Sequence, residues 1–107
     1  MSGLLIPNTF DPKNKVSGMT THTTTSQTMV DALNISGAGY FLGLTLTNWG
    51  SATPSLNLIV DGVNKSGAAI NGHTVVGPIR FETSLQIQHR VDAASSTCRT
   101  AITYLLD

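Results

Sequence analysis

The sequence predicts an all-β fold: an antiparallel two-sheet β-sandwich of jelly-roll or immunoglobulin-like type, with an extended N-terminal arm. Apolar and polar residues alternate in several stretches, and no long window shows the period of an amphipathic helix. Glycine, proline, asparagine and aspartate interrupt these stretches roughly every 8 to 12 residues, the turn spacing of all-β sandwiches. A chain of 107 residues corresponds to one such domain.

Two leucine-rich strands, residues 40–47 and 55–60, form the centre of the predicted core. Every second residue in each strand is apolar, which is the pattern of a strand with one buried face. We expect residues 48–54 to form a long loop that joins the two strands as antiparallel neighbours. The residues predicted to share one core are Leu42, Leu44, Leu46, Leu56, Leu58, Leu85, Ile87 and Ile102.

The C-terminal half alternates in the same way. Asp61-Gly62 predicts a tight turn, and residues 66–78 predict a loop with one or two short strands. Residues 79–89 alternate without a break and predict one long strand. A final strand over 97–106 places Cys98 on its inner face, where a buried and unreactive thiol is expected.

Residues 1–30 differ from the rest of the chain, because they are rich in threonine and serine and poor in apolar side chains. We therefore divide the chain into an extended arm, 1–30, and a sandwich domain, 31–107, which opens with a core strand and a bulge near Asp31-Ala32. The arm either adds an edge strand to the sandwich or pairs with a neighbouring subunit. Its candidate interface residues are Thr21, Thr23, Thr25 and Gln27.

The charge composition argues against binding to nucleic acid or to an anionic membrane. Charged residues make up 11% of the chain and the formal net charge is zero, so no positive field is available for nucleic acid or an anionic membrane. Weak self-repulsion favours association, and we expect a homo-oligomer. The N-terminus shows neither a signal peptide nor a membrane span, so we expect synthesis and retention in a cytoplasm.

Residues for catalysis or metal binding do not form a recognisable motif. The three histidines lie in different segments without the ligand spacing of a zinc site, and no G-x-S-x-G sequence is present. Several carboxylates occupy turn contexts that explain them without catalysis. We expect no enzyme activity, no cofactor and no metal.

Two aromatic residues, Trp49 and Tyr40, complete the candidate interface. Trp49 follows Asn48 in a predicted loop, and an aromatic ring beside amides is suited to a protein contact or to stacking on a sugar. We favour a contact with a subunit, or a role in capping one end of the sandwich, because a single ring makes a poor sugar-binding groove.

Four segments resemble the small β-sandwich structural proteins of tailed-bacteriophage virions, of the head decoration or cement type. The segments are 37–44 (GAGYFLGL), 58–63 (LIVDGV), 79–87 (IRFETSLQI) and 103–107 (TYLLD), and the resemblance extends over residues 33–107. It implies a structural protein, assembled into the virion in the host cytoplasm, that binds the major capsid protein or another virion protein and stabilises the shell. The alternative is a tail, neck or fibre component that binds a carbohydrate or a receptor.

Overall fold

The computed structural model describes residues 16–50, 53–65 and 74–107, which form two antiparallel four-stranded sheets packed face to face. Sheet A has the strand order β1-β8-β3-β6 and sheet B the order β2-β7-β4-β5. The predicted all-β sandwich is confirmed. The strands are β1 (Val16–Thr24), β2 (Val30–Ser36), β3 (Gly39–Trp49), β4 (Ser55–Val60), β5 (Val63–Asn64), β6 (Thr74–Phe81), β7 (Ser84–Arg90) and β8 (Thr97–Leu106).

The pairing of the strands identifies the topology. The first described strand pairs with the last, β2 with β7, β3 with β6, and β4 with β5. The chain is therefore a long antiparallel ribbon, folded at the β4–β5 turn and rolled into two sheets. This is the jelly-roll arrangement rather than the immunoglobulin one, in which the first two strands are sheet neighbours.

Two predicted connections are wrong. In both, the chain crosses from one sheet to the other, whereas the sequence predicts that it continues within a single sheet. β3 lies in sheet A and β4 in sheet B, so these strands face each other across the core and do not pair. Residues 79–89 are two strands: β6 ends at Phe81 in sheet A, and β7 begins at Ser84 in sheet B. Alternation persists through this corner because Phe81, Leu85 and Ile87 all point into the same core.

The corner between β6 and β7 is held by a carboxylate from the β4–β5 turn. Asp61 accepts hydrogen bonds from the backbone N–H groups of Glu82, Thr83 and Ser84 at 2.8–3.2 Å. These bonds lower the pKa of Asp61, the N–H of Thr83 having the largest effect. The predicted tight turn at Asp61-Gly62 is confirmed, with φ angles of 52° and 82° that suit a type I′ hairpin.

The core contains seven of the eight predicted residues in one cluster, and Leu42 is the exception. A bulge shifts the register of β3 between Phe41 and Gly43, so that Phe41 is fully buried and Leu42 is only half-buried. The predicted bulge near Asp31-Ala32 is confirmed, since β2 changes register between Asp31 and Leu33. The final strand over 97–106 and the burial of Cys98 are confirmed as well.

The described part of the predicted arm belongs to the sandwich. β1 is an edge strand of sheet A and pairs with β8 over all nine of its residues, so the first of the two alternatives for this segment is what the chain adopts. The sandwich therefore includes residues before 31. Residues 1–15 of the arm, and 66–73 of the predicted loop, lie outside the described residues. Residues 74–78 of that loop are part of β6.

Candidate functional site

The outer face of sheet A carries a continuous hydroxyl-rich surface, which we call the threonine face. Strand register aligns Thr21, Ala101, Thr45 and Thr74 in one row across all four strands. Arg99 is the one charged residue among the described members of this face, while Arg80, opposite Tyr40 in the register, lies beyond it toward the other end of the same side of the sheet. The face comprises Met19, Thr21, Thr23, Thr45, Thr47, Trp49, Thr74, Val76, Arg99, Ala101 and Thr103.

Trp49 lies at one end of this face, as the last residue of β3, and it does not cap the core. Its side chain is 47% exposed, and the guanidinium of Arg99 lies 5.2 Å from the centre of its ring. Arg99 Nε also donates to Thr23 Oγ1 at 3.4 Å. Three adjacent strands thus bring Thr23, Arg99 and Trp49 together, which leaves a role in a subunit contact or in ligand binding open for Trp49.

Tyr40 lies at the opposite end of β3. Nine residue steps separate it from Trp49, which is roughly 30 Å along an extended strand. The Arg80 guanidinium lies 5.0 Å from the centre of the Tyr40 ring and bridges Asp107 and Glu82 at 2.8 and 3.1 Å. Both carboxylates raise the pKa of Arg80, and the hydrogen bond with Asp107 has the larger effect. The two predicted aromatic residues therefore belong to separate clusters.

Thr25 and Gln27 lie in the connection between β1 and β2, outside the threonine face. Both are exposed, while Ser26 between them accepts a hydrogen bond from the N–H of Val91 at 2.9 Å. This connection closes one side of the sandwich. Of the four threonine and glutamine candidates, Thr21 and Thr23 share a surface with Trp49, and the other two do not.

A partly buried imidazole pair, absent from the predicted sites, links the two sheets. His22 Nδ1 on β1 lies 2.8 Å from Nε2 of the fully buried His89 on β7. The other ring nitrogen of His89 is 2.7 Å from Thr100 Oγ1 and 3.6 Å from Cys98 Sγ. The pair therefore attaches the edge strand of sheet A to a central strand of sheet B.

Burial sets the charge of this cluster. Desolvation, followed by the effect of His22, lowers the pKa of His89 to about 4, so its ring is neutral near pH 7. Burial also raises the pKa of the Cys98 thiol. A protonated thiol beside a neutral imidazole differs from the thiolate that a nucleophilic cysteine requires. The cluster supplies hydrogen bonds that join the sheets.

The outer face of sheet B has a different surface, which we call the amide ladder. Asn64 donates to Asn57 at 3.1 Å, Asn57 to Gln88 at 3.3 Å, and Gln88 to Asp31 at 3.3 Å. Gln86 also donates to Asp31, at 2.8 Å. The ladder crosses β5, β4, β7 and β2, and its side-chain groups are bonded to one another.

Within residues 16–50, 53–65 and 74–107, no three His, Cys, Asp or Glu side chains lie close enough together to hold a metal ion. The same residues contain no helix that is long and apolar enough to span a membrane. Comparison with protein-family models gives no match, and a search of curated proteins finds none that is significantly similar.

Proposed function

We propose that the protein is a non-enzymatic structural component of a virion, which attaches to a protein shell and stabilises it as a capsid decoration or cement protein does. The observation that carries this proposal is the threonine face: a hydroxyl-rich surface with one described charge, on a small jelly-roll sandwich. Jelly rolls are common among viral capsid domains, which is consistent with the proposal, but a shared fold does not by itself establish a shared function.

The threonine face is suited to repeated contacts with a protein lattice. Each threonine offers a methyl group for apolar packing and a hydroxyl group for hydrogen bonding. Its branched Cβ restricts its rotamers, so little side-chain entropy is lost when the face is covered. Met19 and Val76 are 78% and 76% exposed and add apolar area. Since Arg99 is the one charged group described on this face, the contact depends on packing and hydrogen bonds.

Co-sedimentation with capsids or tails from the same source tests the proposal. The variant Thr45→Lys places a charge at the centre of the threonine face, and Asn34→Lys places the same charge on the exposed outer side of sheet B. We expect Thr45→Lys to reduce the bound fraction at least about tenfold, since burying an uncompensated charge costs more than about 1.4 kcal/mol. Asn34→Lys should bind as wild type does. Equal binding by both variants, or no binding by the wild type, contradicts the proposal.

A second candidate function is favoured by the exposure of Trp49. A tail, neck or fibre component that binds a carbohydrate would stack a sugar on this ring, beside the donor groups of Arg99. Glycan-array binding that is lost in Trp49→Ala would select this function over shell attachment. Tyr40 is too distant to act in the same site, so Tyr40→Ala is the matched control, and it should leave such binding unchanged.

A further inference from the structure

The outer edge of β1, which pairs with no strand that the structure describes, differs from the other described sheet edges. Native proteins protect edge strands with proline, charged side chains, bulges or short length, because exposed backbone groups pair with other chains. The 78–80 region of β6 has Pro78, which lacks an N–H, and the charged Arg80. β2 has a bulge and the charged Asp31, and β5 has only two residues.

β1 has none of these protections. Its nine residues, VSGMTTHTT, include no proline and none of the residues Asp, Glu, Lys or Arg. Its register with β8 is continuous from Val16 to Thr24, so no bulge twists the edge away. Val16 and Met19 are 64% and 78% exposed, although both are apolar. An uncharged, regular and partly apolar edge is a template for another strand.

The edge is also rigidly held, which reduces the entropy lost when a second strand is added. His22 is bonded to the buried His89 of sheet B. At the other end of β1, the ring of Tyr104 lies over Gly18, where a Cβ atom would overlap it. These two contacts fix the strand on both sides of its centre, so the edge is presented preformed.

We propose that β1 pairs in antiparallel orientation with β1 of a second copy of this chain. Antiparallel pairing of a strand with itself has two-fold symmetry, so it uses both edges and stops at a dimer. Neither edge brings a formal charge to the contact, and the chain has no net charge to oppose association. The threonine and methionine side chains that would lie opposite each other form favourable cross-strand pairs.

The dimer would join two four-stranded sheets into one sheet of eight strands. Because Met19, Thr21 and Thr23 belong both to β1 and to the threonine face, the two faces would form one continuous surface. This inference goes beyond the proposed function: it depends on the strand and not on the identity of the shell. In a lattice, however, two linked faces would bind with higher avidity than one.

Sedimentation velocity of the purified full chain tests the inference. At roughly 100 μM, a concentration that detects a dimer with a Kd of about 10 μM or tighter, we expect twice the mass of one chain. Thr21→Lys keeps the backbone N–H and places two like charges near the two-fold axis, so it should sediment as a monomer. Thr45→Lys, on the central strand β3 of the same sheet, is the matched control and should remain a dimer.

Hydrogen exchange identifies the edge directly. In the wild type, β1 amides should become more protected as the protein concentration rises, while those of β6 should not change. Met19→Lys provides a second edge variant, and circular dichroism verifies that each variant is folded. A monomeric wild type overturns the inference. So does a dimer that persists in both folded edge variants, or one that dissociates in Thr45→Lys and not in Thr21→Lys. Failure to bind capsids leaves this result unaffected.

Discussion

The two outer faces of the sandwich are both polar, but they satisfy their polar groups in opposite ways. On sheet B, the amides of the ladder donate to one another and end on Asp31. On sheet A, the hydroxyl groups of Thr21, Thr45 and Thr47 have no hydrogen-bond partner within the described part of the chain, and Arg99 reaches only Thr23 and Trp49. Each amide of the ladder already donates within the sheet, whereas these hydroxyl groups of the threonine face retain their bonding capacity.

This difference supports the proposal that the threonine face, and not the amide ladder, is the binding surface. Forming a contact with the ladder would break existing hydrogen bonds, and a partner would have to replace each one. A contact with the threonine face exchanges water for protein partners on groups that are already rigid. The unprotected edge of β1 lies on the same sheet, so both proposed contacts use sheet A.

The largest expected effect concerns the core on which both faces depend. Phe41→Ala should reduce the free energy of unfolding by about 3 to 5 kcal/mol, because the ring is fully buried between the sheets. Leu42→Ala should cost much less, since the bulge turns this side chain out of the core cluster. Denaturant unfolding of the two variants measures the difference, and equal losses would contradict the described bulge.

The next largest effect concerns the link between the sheets and depends on pH. Folding lowers the pKa of His89 from 6.5 to about 4, so the unfolded chain binds more protons than the folded one between these values. Stability from this group is fully present above pH 6.5 and is lost as the pH falls to about 4, with a slope of up to about 1.4 kcal/mol per pH unit.

Unfolding measured at several pH values between 7 and 4 tests this dependence. His89→Gln replaces the imidazole with a neutral side chain that still forms hydrogen bonds. This variant should be less stable than the wild type at pH 7, and its stability should fall less steeply with acid. Parallel pH profiles for the two proteins would show that His89 does not carry the effect.

A smaller effect compares the two faces directly. Asp31→Ala removes the acceptor on which Gln86 and Gln88 converge, so we expect a loss of about 1 kcal/mol in the free energy of unfolding. Thr47→Val keeps the branched shape on the threonine face and removes only a hydroxyl group with no partner there. It should change stability by less than about 0.5 kcal/mol. Thermal or denaturant unfolding decides this, and a larger loss for Thr47→Val would reverse the comparison.

The sequence predicts those features whose signals are local. The turn at Asp61-Gly62, the bulge after Asp31 and the strand over 97–106 each depend on a few neighbouring residues, and all three are confirmed. Alternation shows which side chains point inward but not which sheet contains them, because both sheets face one core. Alternation therefore does not reveal the corner after Phe81. Around Leu42 the pattern does not show which side chains point inward, because Phe41 and Leu42, on opposite faces of the strand, are both apolar.

Contacts between strands that are distant in the sequence are not predictable from single segments. Thr23 and Trp49 were candidates, but Arg99, which joins them, is 76 positions from Thr23. His22 and His89 are 67 positions apart in different segments of the sequence, so no local pattern relates them. Strand order alone brings these residues together, and a single sequence does not specify it. The alternation of polar residues in β7 did indicate the positions of Gln86 and Gln88 on an outer face.

The smallest expected effect concerns salt, and it tests whether the threonine face binds without charge. Because Arg99 is the one charged side chain described on this face, attachment to a capsid or tail should involve few ion pairs, and screening should remove little of its free energy. We expect the affinity to change less than about tenfold between 50 and 500 mM salt, whereas a contact that neutralised several phosphates would lose about a thousandfold or more. Sedimentation of the protein with its particle across a salt series measures this.

The variant Arg99→Gln should reduce the remaining salt dependence, because it removes the charge and keeps a hydrogen-bond donor near Thr23. Release at moderate salt would instead identify an electrostatic partner that binds elsewhere, for which the Arg80 cluster near Tyr40 and the ends of the amide ladder would be the surfaces to test.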